Sequence, residues 1–272
     1  MLMEQKFIEF KNYLIKLGKV AVAFSGGVDS TFLLKTAHDL LGDNAIAITA
    51  RSNTFPRSEL NEAIEFCDQE GIRQIIFEFN EMEIEGFAQN PPERCYLCKK
   101  ALFRQLLNLA KDNSIPHVLD GSNADDVNDF RPGLKALSEL DIKSPLKYAD
   151  LTKSEIRELS KRLNLNTWDK PSIACLATRI PYGDTITEEK LSMIDQAEEF
   201  LKKHGLRQLR VRCHENLARI ETDRDGFEII MNIDLREEIN DKFRQLGFTY
   251  SAIDLIGYRM GSMNEQAKDS KQ

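Results

Sequence analysis

The sequence has no apolar run that approaches the roughly 18 consecutive residues needed for a membrane-spanning helix. In its first residues, MLMEQKFIEFKNYLIKLGKV, apolar side chains recur at helical spacing and charged residues stand between them. This segment therefore lacks the continuous apolar stretch of a secretion signal. Internal repeats and low-complexity tracts are missing as well. From these absences we expect a protein without a membrane partner.

A surplus of basic residues, which a general nucleic-acid-binding protein would carry, is also missing. The 272 residues include 37 Lys and Arg against 44 Asp and Glu, a net charge of −7. Hydrophobic residues make up 42% and charged residues 30%, which is typical of a globular chain with one large domain or two ordinary ones. We therefore expect that nucleic acid is not a partner of this protein.

Disulfides are not expected, because the chain has five cysteines, an odd number, and no secretion signal. Reduced thiols favour a cytoplasmic location. Cys95 and Cys98, in NPPERCYLCKK, stand three residues apart at the start of a predicted helix. Such a pair can hold zinc, cycle as a dithiol, or bind iron and sulfur, and the stretch alone does not decide between these. Cys67 and Cys213 are interpreted as buried apolar residues.

Strand-like and helix-like segments alternate through the first part of the chain. Short apolar runs (KVAVAF, NAIAIT, RQIIFEF and HVLDG) are separated by segments of helical periodicity. This alternation predicts an α/β fold with a parallel sheet flanked by helices, whose ligands bind at the carboxyl ends of the strands.

After residue 150 the pattern changes. A helix that starts after Thr152 is followed by residues 167–184, which are rich in Pro and short polar residues and are interpreted as a loop. A helix from about Thr187 to Gly205, two strand-like runs, another helix and a last strand then indicate a smaller C-terminal α+β unit. We predict a first domain at residues 1–182, a second at residues 183–265 and a disordered tail at residues 266–272.

The first strand and the helix after it are joined by SGGVDS, residues 25–30. Two glycines allow a tight turn, and the dipole of the following helix faces the same space, an arrangement that binds phosphate through backbone N–H groups. The segment lacks the GK[ST] of the Walker loop. The alternative is a simple Gly-Gly turn with Asp29 as a cap, which the position at the first strand–helix junction disfavours.

This segment resembles the pyrophosphate loop of the ATP-pyrophosphatase (PP-loop) superfamily, whose members cleave ATP between the α and β phosphates. The resemblance implies that ATP and Mg²⁺ bind here, with Asp29 near the metal. The residues that it assigns to the nucleotide are Ser25, Gly26, Gly27, Asp29, Ser30 and, at the end of the second strand, Ala50.

A second polar loop, DGSNADDVNDFRPG, follows the fourth strand. Gly121 and Asn123 suit a turn at the end of a strand. Asp125 and its acidic neighbours, beside Arg131, can carry Mg²⁺ for a triphosphate. Taken alone this is a solvated acidic turn, whereas in a PP-loop sequence we predict that it is the second nucleotide-binding loop.

Cys175, in KPSIACLATRIPYG, lies in a loop whose residues are unsuited to a core element. Together with SGGVDS, RCYLCKK, DGSNADDVNDFRPGLKA and RVRCHENLARIE, this segment resembles the LarE-type ATP-dependent sulfur transferases over about residues 5–263. That family helps to build the nickel-pincer nucleotide cofactor of lactate racemase. The resemblance implies that ATP adenylates a carboxylate of pyridinium-3,5-biscarboxylic acid mononucleotide and that a sulfur nucleophile displaces AMP to leave a thiocarboxylate.

Members of the family differ in their sulfur source. Some sacrifice one cysteine, which becomes dehydroalanine, and others use three cysteines to hold a [4Fe-4S] cluster with one iron open to an extra sulfide. Cys95, Cys98 and Cys175 make this sequence resemble the cluster type, with Lys99 as a further catalytic candidate. The residues assigned to the nucleotide substrate are Thr178, Arg179, Glu198, Arg210 and Arg212.

Several alternatives stay open at this point. Arg210 and Arg212, which share one face of a strand, can instead pair with acids such as Glu198 and Glu221. Cys175 can be a sacrificial sulfur donor. The residues do not identify what reloads the sulfide or whether the chain forms a homo-oligomer.

The competing functions belong to other classes. A tRNA thiolase with a cluster would need a basic appendage, and an amidating synthetase such as GMP synthetase would need no loop cysteines. A non-enzymatic nucleotide-binding module is the third alternative. It would hold a structural zinc on the three cysteines with His117 or His214 as the fourth ligand.

Overall fold

The structure is a computed structural model that describes residues 2–128, 132–172 and 174–259. It divides into two compact units. The first unit takes the described residues of Met1–Ser52, Ser58–Asn80 and Cys95–Ile173, and the second those of Asn53–Arg57, Glu81–Arg94 and Ala174–Gln272. The second unit thus includes two early segments and begins its last segment at Ala174, and the domain boundary at residue 182 stays a prediction. Arg131 and the tail at 266–272 lie outside the described residues.

The first unit is built on a four-stranded parallel sheet, which confirms the predicted α/β class. Its strands stand in the order β3-β2-β1-β4, so β1 has β2 on one side and β4 on the other. The register pairs Val20 with Ala45 and with His117. The strand bounds are β1 Val20–Ala23, β2 Ala45–Arg51, β3 Gln74–Glu78 and β4 His117–Leu119.

Most helices that begin or end in the first unit match predicted segments. These are α1 (Met3–Leu17), α2 (Val28–Leu41), α3 (Arg57–Glu70), α4 (Arg94–Asp112) and α7 (Lys153–Arg162). Two short helices, α5 (Pro132–Glu139) and α6 (Pro145–Tyr148), were not predicted, because they span too few residues to show a period. Across the described ranges, no helix is both long and apolar enough to cross a membrane.

The sheet is covered by apolar side chains on both faces, as parallel sheets usually are. Along β1, Val20 and Val22 join a cluster that includes Phe10 of α1 and Phe32 of α2. Ala21, which points the other way, joins the cluster around Phe103 of α4. With both faces buried, the edge formed by the carboxyl ends of the strands is left for polar groups.

The second unit contains a three-stranded sheet in the order β5-β6-β7. Strand β5 (Leu209–His214) is antiparallel to β6 (Leu217–Thr222), and β6 is parallel to β7 (Tyr250–Ile253). Helices α8 (Glu188–Lys203) and α10 (Ile233–Leu246) were predicted, whereas α9 (Arg224–Ile230) was not, because its seven residues show no clear period. The predicted loop contains a 3-10 turn at Leu176–Arg179.

Thr152 caps α7, as predicted from the sequence. Its Oγ1 accepts a hydrogen bond from the Glu155 N–H at 3.3 Å, and the Glu155 carboxylate accepts one from the Thr152 N–H at 2.9 Å. Lys6 of α1 donates to the same carboxylate at 3.1 Å. The cap therefore ties α1 to the first turn of α7, where Lys153 begins the helix.

We predict that Thr152→Ala lowers the free energy of unfolding by about 1 kcal/mol, because an N–H group at the start of α7 loses its acceptor. Urea denaturation of the purified protein measures the change. Thr152→Ser, which keeps the hydroxyl, is the matched control and should stay close to the wild type. Equal losses in the two variants would contradict the capping role.

Candidate active site

The turn between β1 and α2 has the backbone of a phosphate-binding loop. Gly26 has a φ of +65°, in the left-handed region that favours glycine, and α2 begins directly after Gly27. Ser30 Oγ lies 3.1 Å from Ser25 Oγ and donates to the Gly27 carbonyl at 3.2 Å, which closes the turn. Ala50 is half-buried near the carboxyl end of β2. Because the first N–H groups of α2 have no acceptor within the helix, the turn can bind an anion.

Gly26 lies so close to α3 that a side chain would fit only if α3 shifted slightly. A Cβ at this position would stand 3.2 Å from Ala63 Cβ and 3.5 Å from the Glu59 carbonyl oxygen. Lys170 also fixes the turn, since its Nζ donates to the Gly26 carbonyl at 3.2 Å and pairs with Glu59 and Glu62. Burial opposes the charged form, but the two carboxylates raise the pKa of Lys170. Lys170 was not predicted as a site residue, because a lysine in a Pro-rich loop carries no local signal of its partners.

Asp29 stands in the first turn of α2 and pairs with Lys153 at 2.5 Å. Its other oxygen, Oδ1, is buried and makes no hydrogen bond within the described part of the chain. Burial raises the pKa of Asp29, the charge of Lys153 opposes this shift, and the carboxylate of Asp126 adds to it. A buried carboxylate oxygen suits a hard cation such as Mg²⁺, so Asp29 fits the predicted metal role, which stays a prediction.

The second polar loop packs against the first. A Cβ on Gly121 would stand 3.2 Å from the backbone nitrogen of Ser30, so this loop passes next to the start of α2. Asn123 Oδ1 accepts a hydrogen bond from the Asp125 N–H at 2.9 Å, and Asp125 Oδ2 accepts one from the Lys153 N–H at 2.8 Å. The structure thus brings Gly121 to the phosphate turn, while the exposed Asp125 holds the start of α7.

Cys95 and Cys98 lie within the first five residues of α4, three residues apart and therefore on one face. Both are half-buried, and neither forms a disulfide. Lys99 follows the pair, and its aliphatic chain packs against Gly133 of α5, where a Cβ would stand 2.6 Å from Lys99 Cδ.

Cys175 lies in the second unit, directly before the 3-10 turn, with a half-buried side chain. Its carbonyl accepts hydrogen bonds from Thr178 Oγ1 at 2.7 Å and from Arg179 Nη1 at 3.0 Å. Arg179 is 1% exposed and forms a two-point ion pair with Glu198, at 2.9 Å from Nε and 2.8 Å from Nη2. Arg179 therefore supports the Cys175 loop from within the protein. Its contact with a substrate phosphate stays a prediction.

Arg210 and Arg212 both lie on β5 and both are buried. Arg212 pairs with Glu221 at 2.7 Å and donates to the Thr178 carbonyl at 2.9 Å, so the acid pairing left open by the sequence is present. The Arg210 guanidinium lies over the Tyr258 ring at 5.3 Å, and burial lowers its pKa. Of the residues assigned to the substrate, four are buried and Thr178 is half-buried; the buried ones are Arg179, Glu198, Arg210 and Arg212.

The remaining cysteines are buried in the core, and the two histidines considered as zinc ligands belong to strands β4 and β5. Cys67 and Cys213 are each 1% exposed, which confirms that they are core residues, and burial raises the pKa of Cys67 to about 12. His117 begins β4, and His214 Nε2 accepts a hydrogen bond from Arg219 Nε at 3.2 Å. Within the described ranges, no three His, Cys, Asp or Glu side chains are grouped as a metal site.

The position of the phosphate turn defines the class of protein. The turn and the second loop follow β1 and β4, adjacent strands that run parallel although they are distant in sequence. Open parallel sheets bind nucleotides at such a point, where the strand order reverses. This topology defines an α/β protein with a nucleotide-binding edge on an open parallel sheet.

Comparison with known proteins gives the family. No family model matches the chain. An uncharacterized protein of Synechocystis sp. is 39% identical over 97% of this chain and 98% of that protein. The pyridinium-3,5-bisthiocarboxylic acid mononucleotide synthase of Lactiplantibacillus plantarum is 37% identical over 92% of this chain and 90% of its own length. An uncharacterized protein of Methanocaldococcus jannaschii is 34% identical over 94% and 98%.

The chain belongs to the LarE-type ATP-dependent sulfur transferases. Weaker similarity to glutamine-hydrolyzing GMP synthases, at 23 to 28% identity, agrees with the PP-loop fold.

We predict that Gly26→Ala lowers kcat/KM for ATP at least about tenfold, the equivalent of about 1.4 kcal/mol, because the new Cβ meets Ala63 and distorts the turn. ATP–pyrophosphate exchange measures the effect. Gly71→Ala is the matched control: Gly71 has a φ of +66° and nothing within 4 Å of a built Cβ. It should lose about 1 kcal/mol of stability and keep normal exchange. Equal exchange in both variants would contradict the packing argument.

We also predict that the Arg179–Glu198 pair makes the protein sensitive to acid. Burial favours the protonated carboxyl, but the Arg179 guanidinium lowers the pKa of Glu198 below its ordinary value of 4.5. The pair therefore stabilises the fold above the unfolded-state pKa, and this contribution is lost as the pH falls through the lowered folded-state pKa. Glu198→Gln should be less stable at neutral pH and should lose less on acidification. Urea denaturation at a series of pH values is the measurement, and parallel pH profiles would contradict the assignment.

Proposed function

We propose that this chain adenylates a carboxylate of pyridinium-3,5-biscarboxylic acid mononucleotide and replaces a carboxylate oxygen by sulfur, at one carboxylate and then at the other. The observation that carries the proposal is the 37% identity, over 92% of the chain, to a synthase whose name gives the bisthiocarboxylic acid. The phosphate turn supports the first step, since adenylation needs a site for pyrophosphate.

In the first step an oxygen of the substrate carboxylate attacks the α-phosphorus of ATP. The bond from that phosphorus to the bridging oxygen breaks, and pyrophosphate leaves with the electron pair. Negative charge grows on the leaving group, so the N–H groups of the turn at Ser25–Ser30 and the dipole of α2 stabilise the transition state. Asp29, with its buried Oδ1, is the residue of this chain that would hold Mg²⁺ beside the phosphates.

In the second step a sulfur nucleophile attacks the carbonyl carbon of the acyl adenylate. The bond to AMP breaks, and AMP departs with the electron pair, which leaves a thiocarboxylate. AMP is a much better leaving group than oxide, and sulfur is strongly nucleophilic at neutral pH. The guanidinium groups of Arg179, Arg210 and Arg212 are the groups proposed to hold the phosphate of the substrate, since guanidinium matches phosphate geometry.

The proposed sulfur source is a [4Fe-4S] cluster held by Cys95, Cys98 and Cys175. Thiolates are the ligands of such clusters, and the first two cysteines stand on one face of a helix turn, half-buried and outside any disulfide. When bound, the cluster would offer the sulfur as an extra sulfide on the iron without a protein ligand. A reducing, cytoplasmic setting suits this chemistry.

The test is anaerobic purification followed by iron and sulfide assays, a visible spectrum and turnover with the pyridinium substrate and ATP. We expect a brown protein with about four iron per chain and a product in which mass spectrometry finds sulfur in place of oxygen. Cys95→Ala should lose both iron and sulfur transfer while ATP–pyrophosphate exchange continues, because the phosphate turn is intact.

Cys67→Ala is the matched control, since Cys67 is a core residue of the first unit, and it should keep its iron. Full sulfur transfer by Cys95→Ala would contradict the cluster. Loss of H₂S from Cys175 during turnover would identify the sacrificial route instead. Sulfur incorporated into tRNA but not into the pyridinium nucleotide would contradict the proposed substrate.

A further inference from the structure

Two buried polar residues of the second unit, Asn90 and Arg94, have no part in the chemistry described above. Both lie in the stretch NPPERCYLCKK, and Arg94 directly precedes Cys95 in the sequence. Asn90 is 0% exposed and Arg94 is 2% exposed. Polar groups buried this deeply destabilise a fold unless they are hydrogen-bonded, so their partners indicate what they do.

Asn90 binds the segment that follows Cys175. Its Nδ2 donates to the carbonyl oxygens of Ile180 at 3.2 Å and Pro181 at 2.6 Å. Its own carbonyl accepts a hydrogen bond from the Gly183 N–H at 3.1 Å. The side chain of one residue therefore binds two consecutive carbonyls directly after the 3-10 turn.

The backbone of Asn90 is itself in an unusual conformation. Its φ is +55°, in the left-handed region, which costs most side chains energy and which Asn tolerates better than other non-glycine residues. A buried residue held in this region is retained by its surroundings, and such positions cluster near functional sites. Here the conformation allows the side chain and the carbonyl of Asn90 to bind the same segment.

Arg94 joins the same network from α4. Its Nη1 donates to the Ala177 carbonyl at 3.2 Å and to Asn90 Oδ1, and its guanidinium lies over the Tyr182 ring at 5.5 Å. No carboxylate pairs with Arg94 among the residues that the structure describes, in contrast to Arg179 with its Glu198. A buried cation with neutral partners is stable only while those partners stay in place, so Arg94 and the loop depend on each other.

The loop that carries Cys175 is thus held by two buried arginines. Arg179 donates hydrogen bonds to the carbonyls of Ala174 at 2.6 Å and Cys175 at 3.0 Å, and Arg94 donates one to the carbonyl of Ala177. We propose that Asn90 and Arg94 are positioning residues for sulfur transfer. They fix the backbone of the Cys175 loop and thereby hold the Cys175 thiol in the position that sulfur transfer requires. This rests on the proposed role of Cys175 in handling sulfur.

The structure offers a clean variant and a matched control. Asn90→Gly removes the side chain while glycine keeps the left-handed backbone without strain. Asn164 has the same φ of +55° but is exposed after α7, so Asn164→Gly repeats the substitution away from the loop. Arg94→Met is the second variant, because it removes the donor to Ala177 and keeps an apolar side chain in the buried space.

The first measurement uses iron-free, reduced protein and follows the alkylation of each cysteine by iodoacetamide with peptide mass spectrometry. We expect Cys175 to react severalfold faster in Asn90→Gly and Arg94→Met than in the wild type and Asn164→Gly. The buried Cys67 and Cys213 should keep their rates. The second measurement, on holoenzyme, should show kcat for sulfur transfer lowered about 10- to 100-fold with KM for ATP and ATP–pyrophosphate exchange unchanged.

Unchanged alkylation of Cys175 and unchanged sulfur transfer in both variants would overturn the proposal. Loss of ATP–pyrophosphate exchange in both would also overturn it, because the pair would then support the whole fold rather than position one loop. The two variants can also show faster alkylation of Cys175 while the wild-type protein transfers no sulfur to the pyridinium nucleotide. That result would support the positioning role of Asn90 and Arg94 and count against the proposed function instead.

Discussion

The phosphate turn depends on one backbone conformation, the left-handed Gly26 at the carboxyl end of β1. With this φ, the chain reverses tightly enough for α2 to begin directly after Gly27, so the N-terminus of the helix faces the carboxyl edge of the sheet. Ala63 leaves little room for a side chain at Gly26, and Lys170 binds the Gly26 carbonyl. The anion site is therefore built from backbone, and the surrounding side chains hold that backbone in place.

The Cys175 loop relies on a different physical device, which is buried cations bound to carbonyl oxygens. Arg179 is neutralised by Glu198, whereas Arg94 has carbonyl, amide and ring partners. Buried charges are costly unless they are paired or well hydrogen-bonded, so Arg94, which has only neutral partners among the described residues, depends on the loop more than Arg179 does. Such a loop can carry a reactive thiol without belonging to a helix or a strand.

Much of this arrangement was predictable from the residues. The alternating segments predicted the parallel sheet, SGGVDS predicted the turn, and the Thr152 cap follows from a local rule. Arg179 and Arg212 were predicted as substrate residues, and the structure shows their charges paired with Glu198 and Glu221. The pairing of Arg212 with Glu221 is the alternative that the sequence left open, whereas the pairing of Arg179 with Glu198, 19 residues away, was not predicted.

The sequence by itself determined the class of protein, because a glycine turn between a strand and a helix requires particular residues in a short stretch. It also determined the family, through motifs that follow one another in a set order. Only the tertiary structure decided which cationic side chains contact the phosphate turn and the Cys175 loop. Lys170 and Lys153 reach the phosphate turn, and Arg94 reaches the Cys175 loop, across 144, 124 and 83 residues. A long flexible side chain has no preferred partner until packing fixes the distance to one, so its role cannot be read from its neighbours in sequence.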